Sequence, residues 1–368
     1  MSRFAFPAGA GRLTAVGKSD SKLLRGRGVP ENPASRFAST TSERFEDYDP
    51  SEDPSPRTQF IADASATVIN YNDSPDIPFD ASLNVYRGCE HGCIYCYARP
   101  FHEYLGFSPG LDFETKIVVK YNAPELLRQE LSSPKWKPQT IAMSGVTDCY
   151  QPAERRLQLT RRCLEVFAEF RNPVGIVTKN HLVTRDLDLL AELAQFNCAA
   201  VYVSITTLDA ELAPKLEPRA ALPAMRLVAI RKLNEAGVPV GVMTAPMIPG
   251  LNDHEMANIL AAAAEAGAKF AGLVPLRLPF AVKEIFADWL TRHYPDRKDN
   301  VLNRIRSLRG GKLNNADFGS RMTGEGVWAE QLRQMFDVMT RKLGLNERGA
   351  GLSAAHFRRP GGTQMGLL

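Results

Sequence analysis

The stretch "SLNVYRGCEHGCIYCYARP" (residues 82–100) runs from a strand pattern straight into three cysteines at spacing C-x3-C-x2-C. They are Cys89, Cys93 and Cys96. Three thiols within eight residues are typical of a metal site. The other cysteines are dispersed along the chain: Cys149, Cys163 and Cys198. This pattern indicates one set of clustered ligands and separate core thiols, and it argues against a disulfide scaffold.

The residues alone leave open which metal this loop binds. A structural zinc site normally has four ligands, so zinc would need His91 or His102 as the fourth. A [4Fe–4S] cluster is commonly held by four thiolates, and a set of three would leave one iron free for a small-molecule ligand. A catalytic thiol would require only one of the cysteines and would leave two without a role.

The composition is that of an ordinary soluble globular protein, because 44% of the 368 residues are hydrophobic and 23% are charged. No window approaches the roughly 18 to 20 apolar residues that span a bilayer. The N-terminus lacks the apolar segment of a secretory signal. We therefore expect a cytoplasmic protein that does not use a membrane. The net charge of +4 is compatible with a polyanionic substrate but too small to establish one.

From about residue 80 the chain alternates between short β-branched runs and longer amphipathic stretches. Strands are predicted at 82–87, 139–145, 174–179, 199–206, 238–246 and 271–277. Helices are predicted between them at 152–170, 186–195, 221–236 and 253–266. This alternation indicates βαβ units and a parallel sheet. Six strands of this kind fit a partial or full barrel better than an open sheet.

The same patterns divide the chain into four parts. Residues 1–60 are rich in Ser, Pro, Gly and Arg and are predicted to form a flexible tail, in which "NPASRF" (32–37) is either a docking element or a plain linker. Residues 61–280 contain the predicted strands with their connecting helices and are expected to form the core barrel. Residues 281–350 contain three helical patterns and form a C-terminal helical extension, and 351–368 form a second flexible tail.

The cysteine motif, with the aromatic Tyr95 before its last cysteine and a strand before its first, resembles the signature of the radical S-adenosylmethionine (radical SAM) superfamily. The resemblance covers roughly residues 80–280. Further segments resemble the branch related to spore photoproduct lyase, often described as DNA repair photolyase-like: "SGVTDCYQPAE", "VTKN", "VSITTLD", "LEPRA" and "PMIPGLND". Within it the chain is similar to an uncharacterised bacterial subfamily that shares the "NPxxRF" element and a C-terminal "GEG".

This resemblance implies a partial (β/α)6 TIM-type barrel and two cofactors. Cys89, Cys93 and Cys96 would hold a [4Fe–4S] cluster, and S-adenosylmethionine would chelate its free iron. An electron from a donor such as flavodoxin or ferredoxin would cleave S-adenosylmethionine to a 5′-deoxyadenosyl radical, which abstracts hydrogen from the substrate. The protein positions this chemistry and excludes quenching.

The resemblance also implies which residues contact S-adenosylmethionine. Tyr95 is expected against the adenine. The methionine amino group is expected near the end of the second strand, where many members have Gly-Gly-Glu and this chain has Ser144, Gly145, Thr147 and Asp148.

Four more residues at later strand ends are candidates for this cofactor. Lys179 is expected to pair with its carboxylate, unless it is a solvated surface lysine. Ser204 is expected to hydrogen-bond it, unless the serine is structural. Glu217 and Arg219 are further candidates, unless they pair only with each other.

Two residues are candidates for passing a hydrogen atom. Relatives of the photoproduct lyase branch use a cysteine near the end of the second strand for this step. Cys149 lies close by but after the expected position, where Gly145 stands, so it is either a donor or a small buried thiol. Tyr97 is the alternative member of a hydrogen-transfer relay.

Three functions remain open from the sequence. The first is a radical enzyme acting on a base lesion or modified nucleotide in DNA or RNA. The second is a radical enzyme acting on a small molecule, peptide or cofactor precursor. The third is a metal-holding interaction protein without catalysis. Two basic clusters, at 155–162 and 297–312, would serve the first function or would simply be solvated helix faces.

Overall fold

The computed structural model describes residues 24–37 and 56–360, and within them it contains ten strands. Their bounds are β1 Gln59–Ala62, β2 Ile69–Tyr71, β3 Ala81–Leu83, β4 Tyr86–Arg87, β5 Lys116–Val119, β6 Ile141–Met143, β7 Val174–Thr178, β8 Ala199–Ser204, β9 Val240–Met247 and β10 Phe270–Pro275. Each of the six predicted strands overlaps at least one of these, and the first, at 82–87, is divided into β3 and β4. The short strands β1, β2 and β5 were not predicted.

The main sheet has the strand order β10-β9-β8-β7-β6-β3-β2. Its six strands β3, β6, β7, β8, β9 and β10 are parallel and follow one another in sequence order, while β2 pairs antiparallel with β3. Within the described residues β10 and β2 are the two edges, so the barrel is partial. The carboxyl ends of all six parallel strands lie on one face, where barrels of this kind place their sites. The predicted partial (β/α)6 barrel is confirmed.

Helices connect the parallel strands. Their bounds are α1 Leu111–Thr115, α2 Ala123–Ser132, α3 Glu154–Leu157, α4 Leu159–Phe170, α5 Leu187–Ala194, α6 Leu212–Leu216, α7 Pro223–Glu235, α8 Met256–Glu265, α9 Val282–His293, α10 Lys298–Leu308, α11 Ser320–Thr323 and α12 Gly326–Lys342. Short 3₁₀ helices occur at Arg99–Leu105, His181–Asp186, Asp253–Glu255 and Pro295–Arg297. The helical extension after the barrel is present as α9, α10 and α12.

The helix predicted over 152–170 is interrupted in the structure. Gln158 has φ of +51° and separates α3 from α4. The buried carboxylate of Glu154 accepts a hydrogen bond from the N–H of Thr160 at 3.1 Å, and it lies 2.8 Å from the guanidinium of Arg185. The break therefore lets a side chain satisfy a backbone donor that a continuous helix would satisfy itself.

A second smaller sheet covers the side of the barrel near the first parallel strand. Its order is β1-β5-β4, with β1 parallel and β4 antiparallel to β5. Because β4 leads directly into the three cysteines, this sheet fixes the point at which the cysteine-bearing segment leaves the barrel.

The hydrophobic side chains form two main cores. The larger lies between the parallel strands and the helices α4, α5, α7 and α8. The second joins the C-terminal helices to the cysteine segment, because Ile94 and Tyr95 belong to the same buried group as Phe286 and Trp289. Trp289 also donates from Nε1 to the carbonyl of Lys215 at 2.9 Å. The helical extension is thus packed onto the cysteine segment.

The two tails predicted as flexible fall partly outside the described residues, at 1–23, 38–55 and 361–368. Their described parts pack against the barrel. Gly28 lies against the carbonyl of Gly92 in the cysteine segment, and within "NPASRF" Arg36 pairs with Glu103. Near the C-terminus the N–H of Ser353 donates to the carbonyl of Asn197 at 2.9 Å.

Candidate active site

The cysteine loop (residues 88–96) is fixed by backbone hydrogen bonds to two distant segments. The N–H of Cys89 donates to the carbonyl of Phe113 at 2.9 Å. The N–H of Ile94 donates to the carbonyl of Leu216 at 3.1 Å. Because these partners come from α1 and from the end of α6, the loop conformation depends on tertiary contacts.

Arg99 holds the loop through its backbone carbonyls. Its Nε donates to the carbonyl of Cys93 at 3.0 Å, Nη2 to that of Gly92 at 3.3 Å, and Nη1 to that of Gly110 at 2.9 Å. Glu114 balances the charge, with Oε1 at 2.6 Å from Nη2. Both side chains are 0% exposed. A buried ion pair of this kind depends on its additional hydrogen bonds, and here they go to the loop.

Residues 24–37 contact both Glu114 and the cysteine loop. The N–H groups of Gly28 and Val29 donate to the Glu114 carboxylate at 3.0 and 3.1 Å. Gly28 lies so close to the loop that a Cβ there would be 1.9 Å from the carbonyl oxygen of Gly92. Only glycine fits at this approach.

The three cysteines lie together on this loop without being bonded to one another. Cys89 and Cys93 are each 7% exposed, and Cys96 packs against the hydrophobic neighbours of both. In the described part of the chain, no three His, Cys, Asp or Glu side chains converge closely enough to hold a single metal ion. The thiolate ligands of a [4Fe–4S] cluster bind separate irons and need not converge. Three shielded free thiols on a braced loop fit such a cluster.

Tyr95, between two of the cysteines, points into a buried charged network. Its hydroxyl donates to Glu217, which also accepts from the hydroxyl of Thr206 at 2.6 Å and pairs with Arg226. Burial alone would raise the pKa of Glu217, but Arg226 and Lys179 outweigh it and lower this pKa to about 2. Glu217 is therefore an ionised buried carboxylate.

Lys179 points inward, contrary to the reading of it as a solvated surface residue. Its side chain is 16% exposed. Nζ donates to the carbonyl of Ala245 at 3.3 Å, and it lies 3.9 Å from Oε1 of Glu217 and 5.9 Å from the centroid of the Tyr95 ring. A buried cation at the carboxyl end of β7 is suited to an anionic ligand group.

Asp148, predicted as a cofactor contact, is surrounded by donors of the chain itself. Oδ2 accepts from the N–H of Lys179 at 2.7 Å and lies 3.4 Å from Nδ1 of His91, while Oδ1 accepts from the hydroxyl of Thr178 at 2.8 Å. Burial alone would lower the pKa of His91, but Asp148 and Cys89 raise it to about 10. Asp148 thus links the cysteine loop to β7.

Thr147 has a similar linking position. Its hydroxyl donates to the carbonyl of Gly88 at 2.8 Å, and Nε2 of Gln151 donates to the same carbonyl at 3.1 Å. Gln151 also accepts from the N–H of Glu90 at 2.9 Å. Together these side chains tie the segment after β6 to the beginning of the cysteine loop.

Ser144, Gly145 and Cys149 also follow β6, and Gly145 is hydrogen-bonded to Tyr97. The two candidates for hydrogen transfer, Tyr97 and Cys149, differ in exposure. Ser144 has φ of +91°, a conformation that is rare outside glycine, and its hydroxyl accepts from the N–H of Cys149 at 3.0 Å. The carbonyl of Gly145 accepts from the hydroxyl of Tyr97 at 2.5 Å. Tyr97 is 45% exposed, whereas Cys149 is 1% exposed and belongs to the larger core.

Ser204 and Glu217 share the partner Arg226, whereas Arg219 pairs elsewhere. The carbonyl of Ser204 accepts from Nη1 of Arg226 at 2.9 Å, and its side chain is buried. Arg219 pairs with Glu90 at 3.1 Å, not with Glu217. The prediction that Glu217 and Arg219 would pair only with each other is therefore wrong.

Several site residues were missed by the sequence analysis. Arg99 and Glu114 brace the loop, and Arg226 neutralises Glu217. Arg99 lies three residues after the last cysteine, so its position was a usable signal. Arg226 is one of several basic residues along α7 and its burial cannot be read from the sequence.

An arginine-lined cavity of about 550 Å³ lies beside the cysteine loop. Five arginines line it: Arg25, Arg27, Arg57, Arg156 and Arg219. The acidic group in its wall is Glu90, next to the ligand candidate Cys89. Arg156 comes from the first predicted basic cluster. In that cluster Arg161 is instead paired with Asp186 and Asp188.

The second basic cluster, on α10 and the residues that flank it, is partly structural. Arg309 is 1% exposed and donates to the carbonyl of Leu276 at 2.7 Å. Arg297 donates to the carbonyl of Gly250 at 2.5 Å.

Among the described residues no helix is both long and apolar enough to cross a membrane.

The chain is similar to a known family and to several curated proteins. The family model described as "Radical SAM superfamily" matches residues 83–263. An uncharacterized protein of Mycobacterium tuberculosis (strain ATCC 25618 / H37Rv) is 40% identical over 234 residues, which are 63% of this chain and 68% of that protein. An uncharacterized protein of Methanocaldococcus jannaschii is 32% identical over 173 residues, covering 47% of this chain and 62% of the other.

Solved structures share the fold. A mutant spore photoproduct lyase with bound AdoMet and dinucleoside spore photoproduct aligns with a TM-score of 0.58 at 16% identity, covering 78% of this chain and 80% of the other. A spore photoproduct lyase complexed with dinucleoside spore photoproduct aligns with a TM-score of 0.56 over the same shares. The motif, the barrel and these matches agree: the chain belongs to the radical SAM superfamily, whose members are enzymes that use a [4Fe–4S] cluster and S-adenosylmethionine.

Proposed function

We propose that this chain is a radical SAM enzyme that acts on a modified or damaged base in a polynucleotide. Cys89, Cys93 and Cys96 hold the cluster. When bound, the cluster and S-adenosylmethionine would supply reductive radical chemistry for hydrogen abstraction, with one electron from an external donor such as flavodoxin or ferredoxin. The residues of the chain bind and orient both cofactors and keep water away from them.

Several buried side chains would position these cofactors. Arg99 keeps the cysteine loop in one conformation through the backbone carbonyls of Gly92 and Cys93. Lys179 offers its ammonium group to the carboxylate of S-adenosylmethionine, and the ionised Glu217 keeps that ammonium and the Tyr95 hydroxyl in place. Asp148 and Thr147 act by holding the loop rather than by touching the cofactor, since their polar atoms are already bonded to the chain.

The amino group of S-adenosylmethionine is then assigned to the segment at Ser144 and Gly145. Ser204 lies at the end of the next strand but one and remains a candidate contact. For hydrogen transfer we favour Tyr97 over Cys149. Tyr97 is half-exposed beside Cys96, whereas the Cys149 thiol is enclosed in the hydrophobic core.

The arginine-lined cavity carries the proposal of a polynucleotide substrate. Arg57 and Arg156 are exposed at its wall, and the cavity adjoins the loop that bears Cys89. Guanidinium groups recognise phosphate oxygens through paired hydrogen bonds. The fold shared with a lyase complexed with dinucleoside spore photoproduct supports the same substrate class.

Two measurements test this function. Anaerobically reconstituted protein should cleave S-adenosylmethionine to 5′-deoxyadenosine with dithionite, and it should bind a fluorescent single-stranded oligonucleotide with strong salt dependence. Deuterium transfer from labelled oligonucleotides into 5′-deoxyadenosine would identify the substrate. Cleavage without oligonucleotide binding would point instead to a small molecule, peptide or cofactor precursor, and colourless protein without cleavage would contradict the enzyme.

The cavity itself can be tested by charge removal. In the double variant Arg57→Ala/Arg156→Ala, the slope of log affinity against log salt should fall by about 0.7 for each phosphate that an arginine no longer neutralises. Arg333→Ala, an exposed arginine on α12, is the matched control and should keep the wild-type slope. Equal slopes in all three proteins would remove the cavity from the binding site.

A further inference from the structure

Four aromatic side chains form an exposed surface, here called the rim patch. They are Phe37 (58% exposed), Phe101 (50%), Tyr104 (69%) and Phe280 (54%). The last three belong to segments that follow the carboxyl ends of barrel strands. Single exposed apolar residues are common, but a contiguous group of aromatic rings marks an interaction site.

The rings are arranged around one arginine. The centroids of Phe37 and Tyr104 are 5.2 Å apart, and those of Phe101 and Tyr104 are 6.4 Å apart. The guanidinium of Arg36 lies 3.7 Å from the Phe280 ring centroid and 5.1 Å from that of Phe37. The patch is therefore continuous, and it includes both residues that end the "NPASRF" element.

Arg36 is held in this position by Glu103. The Arg36 Nε lies 2.7 Å from Oε2 of Glu103, and the N–H of Arg36 donates to Oε1 at 2.8 Å. The Glu103 side chain is 0% exposed while that of Arg36 is 31% exposed. A buried carboxylate thus fixes an exposed cation between the rings.

Phe280 adds an independent sign of function. It has φ of +48°, which is unfavourable for a residue with a bulky side chain. Such conformations persist where the surroundings enforce them, and they cluster at ligand contacts. Here the enforced conformation keeps a phenyl ring in solvent.

The position of the patch relates it to the site. Phe280 follows the carboxyl end of β10, the last parallel strand, and Phe101 and Tyr104 lie on the 3₁₀ helix that follows the cysteine loop. The patch therefore joins segments after the first and last barrel strands. Tyr97, which precedes this 3₁₀ helix and follows Cys96, is also exposed, at 45%.

We propose that the rim patch is a stacking platform for unpaired nucleobases of the polynucleotide substrate. This inference rests on the proposed function and names the part of the substrate that these residues contact. Aromatic rings and arginine planes bind bases in single strands because every base has a π-face. The same chemistry would hold the nucleotides that flank a base drawn out of its stack.

The composition of the patch favours bases over other occupants. A site for an apolar protein helix would include aliphatic anchors, whereas the four exposed members are all aromatic. The central cation matches the π-face of a base and the adjacent phosphate charge together. The arginine-lined cavity beside the cysteine loop would take the backbone.

The test measures binding of the full-length protein to a short single-stranded oligothymidylate of about ten nucleotides. Tyr104→Ala and Phe280→Ala should each weaken binding by about 5- to 100-fold, the range for loss of one base–aromatic stack. Tyr104→Phe keeps the ring and should bind like the wild type. Tyr71→Ala is the matched control, because Tyr71 is equally exposed at 67% but lies on the edge strand β2.

An abasic strand of the same length separates stacking from charge. The wild type should bind it more weakly than oligothymidylate, and the two alanine variants should bind it as the wild type does. Equal wild-type affinity for both strands, or unchanged binding in the alanine variants, would overturn the platform. A further outcome is that the alanine variants lose only their co-sedimentation with anionic lipid vesicles and keep oligothymidylate binding. That result would overturn the platform in favour of a membrane-binding surface.

A separate readout keeps this result distinct from the proposed chemistry. Cleavage of S-adenosylmethionine by dithionite-reduced protein without oligonucleotide should be unchanged in Tyr104→Ala and Phe280→Ala. Loss of stacking with intact cleavage supports the platform. Base-selective binding in a wild-type protein that cleaves no S-adenosylmethionine would support the platform and contradict the radical enzyme.

Discussion

The cysteine loop and the rim patch lie on the same face of the barrel, yet they are built in opposite ways. Around the loop the charged side chains are buried and paired, as with Arg99 and Glu114. In the rim patch the rings are exposed, and Arg36 is only partly covered. A cofactor that must react at one fixed distance requires rigid supports. A flexible polymer requires surfaces that accept several bases.

This difference sets the expected size of mutational effects. Removing one partner of a buried ion pair leaves the other charge unpaired at low dielectric and is strongly destabilising. Removing an exposed ring changes the stability little but takes away a surface that the ligand touches. Mutations near the loop should therefore affect folding and cofactor content, and those in the rim patch only substrate binding.

The largest effect is expected at the ligands themselves. Cys93→Ala should abolish cluster binding, because a cluster held by three thiolates loses one of its three protein ligands. The measurement is iron and acid-labile sulfide after anaerobic reconstitution. Cys163→Ala, in the core on α4, should keep its cluster. Equal loss of iron from both variants would contradict the assignment of the loop as the metal site.

The next effect concerns the buried ion pair. Arg99→Met keeps the aliphatic stem but leaves Glu114 unpaired, and it should lower the free energy of unfolding of the apoprotein by about 3–5 kcal/mol. Urea denaturation measures this change.

The surface pair between Arg128 and Glu169 provides the matched comparison for that variant. Their side chains are 48% and 34% exposed, so Arg128→Met should lower the free energy of unfolding by only about 0–1 kcal/mol. If both variants lose the same stability, the contrast between a rigid loop and an adaptable surface does not hold.

The smallest effect tests the contact between residues 24–37 and the loop. Gly28→Ala places a methyl group against the Gly92 carbonyl and should lower the free energy of unfolding by about 1–3 kcal/mol. It should also speed the loss of iron to a chelator. Gly349→Ala meets no atom within 4 Å and should change the stability by less than about 0.5 kcal/mol. Identical iron loss in both variants would show that this segment does not support the loop.

Much of the barrel follows from local patterns in the sequence. The alternation of β-branched runs and amphipathic stretches predicts β6 to β10 and the helices between them, because burial on both faces of a parallel sheet requires such runs. Strands as short as β1 and β5 escape this reasoning. They are stabilised by pairing with each other, and a four-residue run has no periodicity that distinguishes it from a loop.

In the candidate site, too, some residues could be predicted from the sequence and others could not. Spacing alone singles out the three cysteines, and the strand ends single out Lys179. Glu217 was expected to contact a ligand or to pair with Arg219, but it is bound to Arg226 from a helix further along the chain. Pairing between side chains depends on where two elements meet, and a single sequence does not contain that information.

By itself the sequence determined the cysteine loop and the alternation of strands and helices, because spacing and periodicity are local properties. The family resemblance carried by these residues supplied the barrel and the class of cofactor. Only the tertiary structure decided how residues 24–37 and Glu114 support the loop. It also brought Phe37 and Phe280, which are far apart in the chain, onto one arginine. The physical reason is that long-range contacts depend on the packing of whole elements, so the substrate surface appears only once the barrel has formed around its cofactor loop.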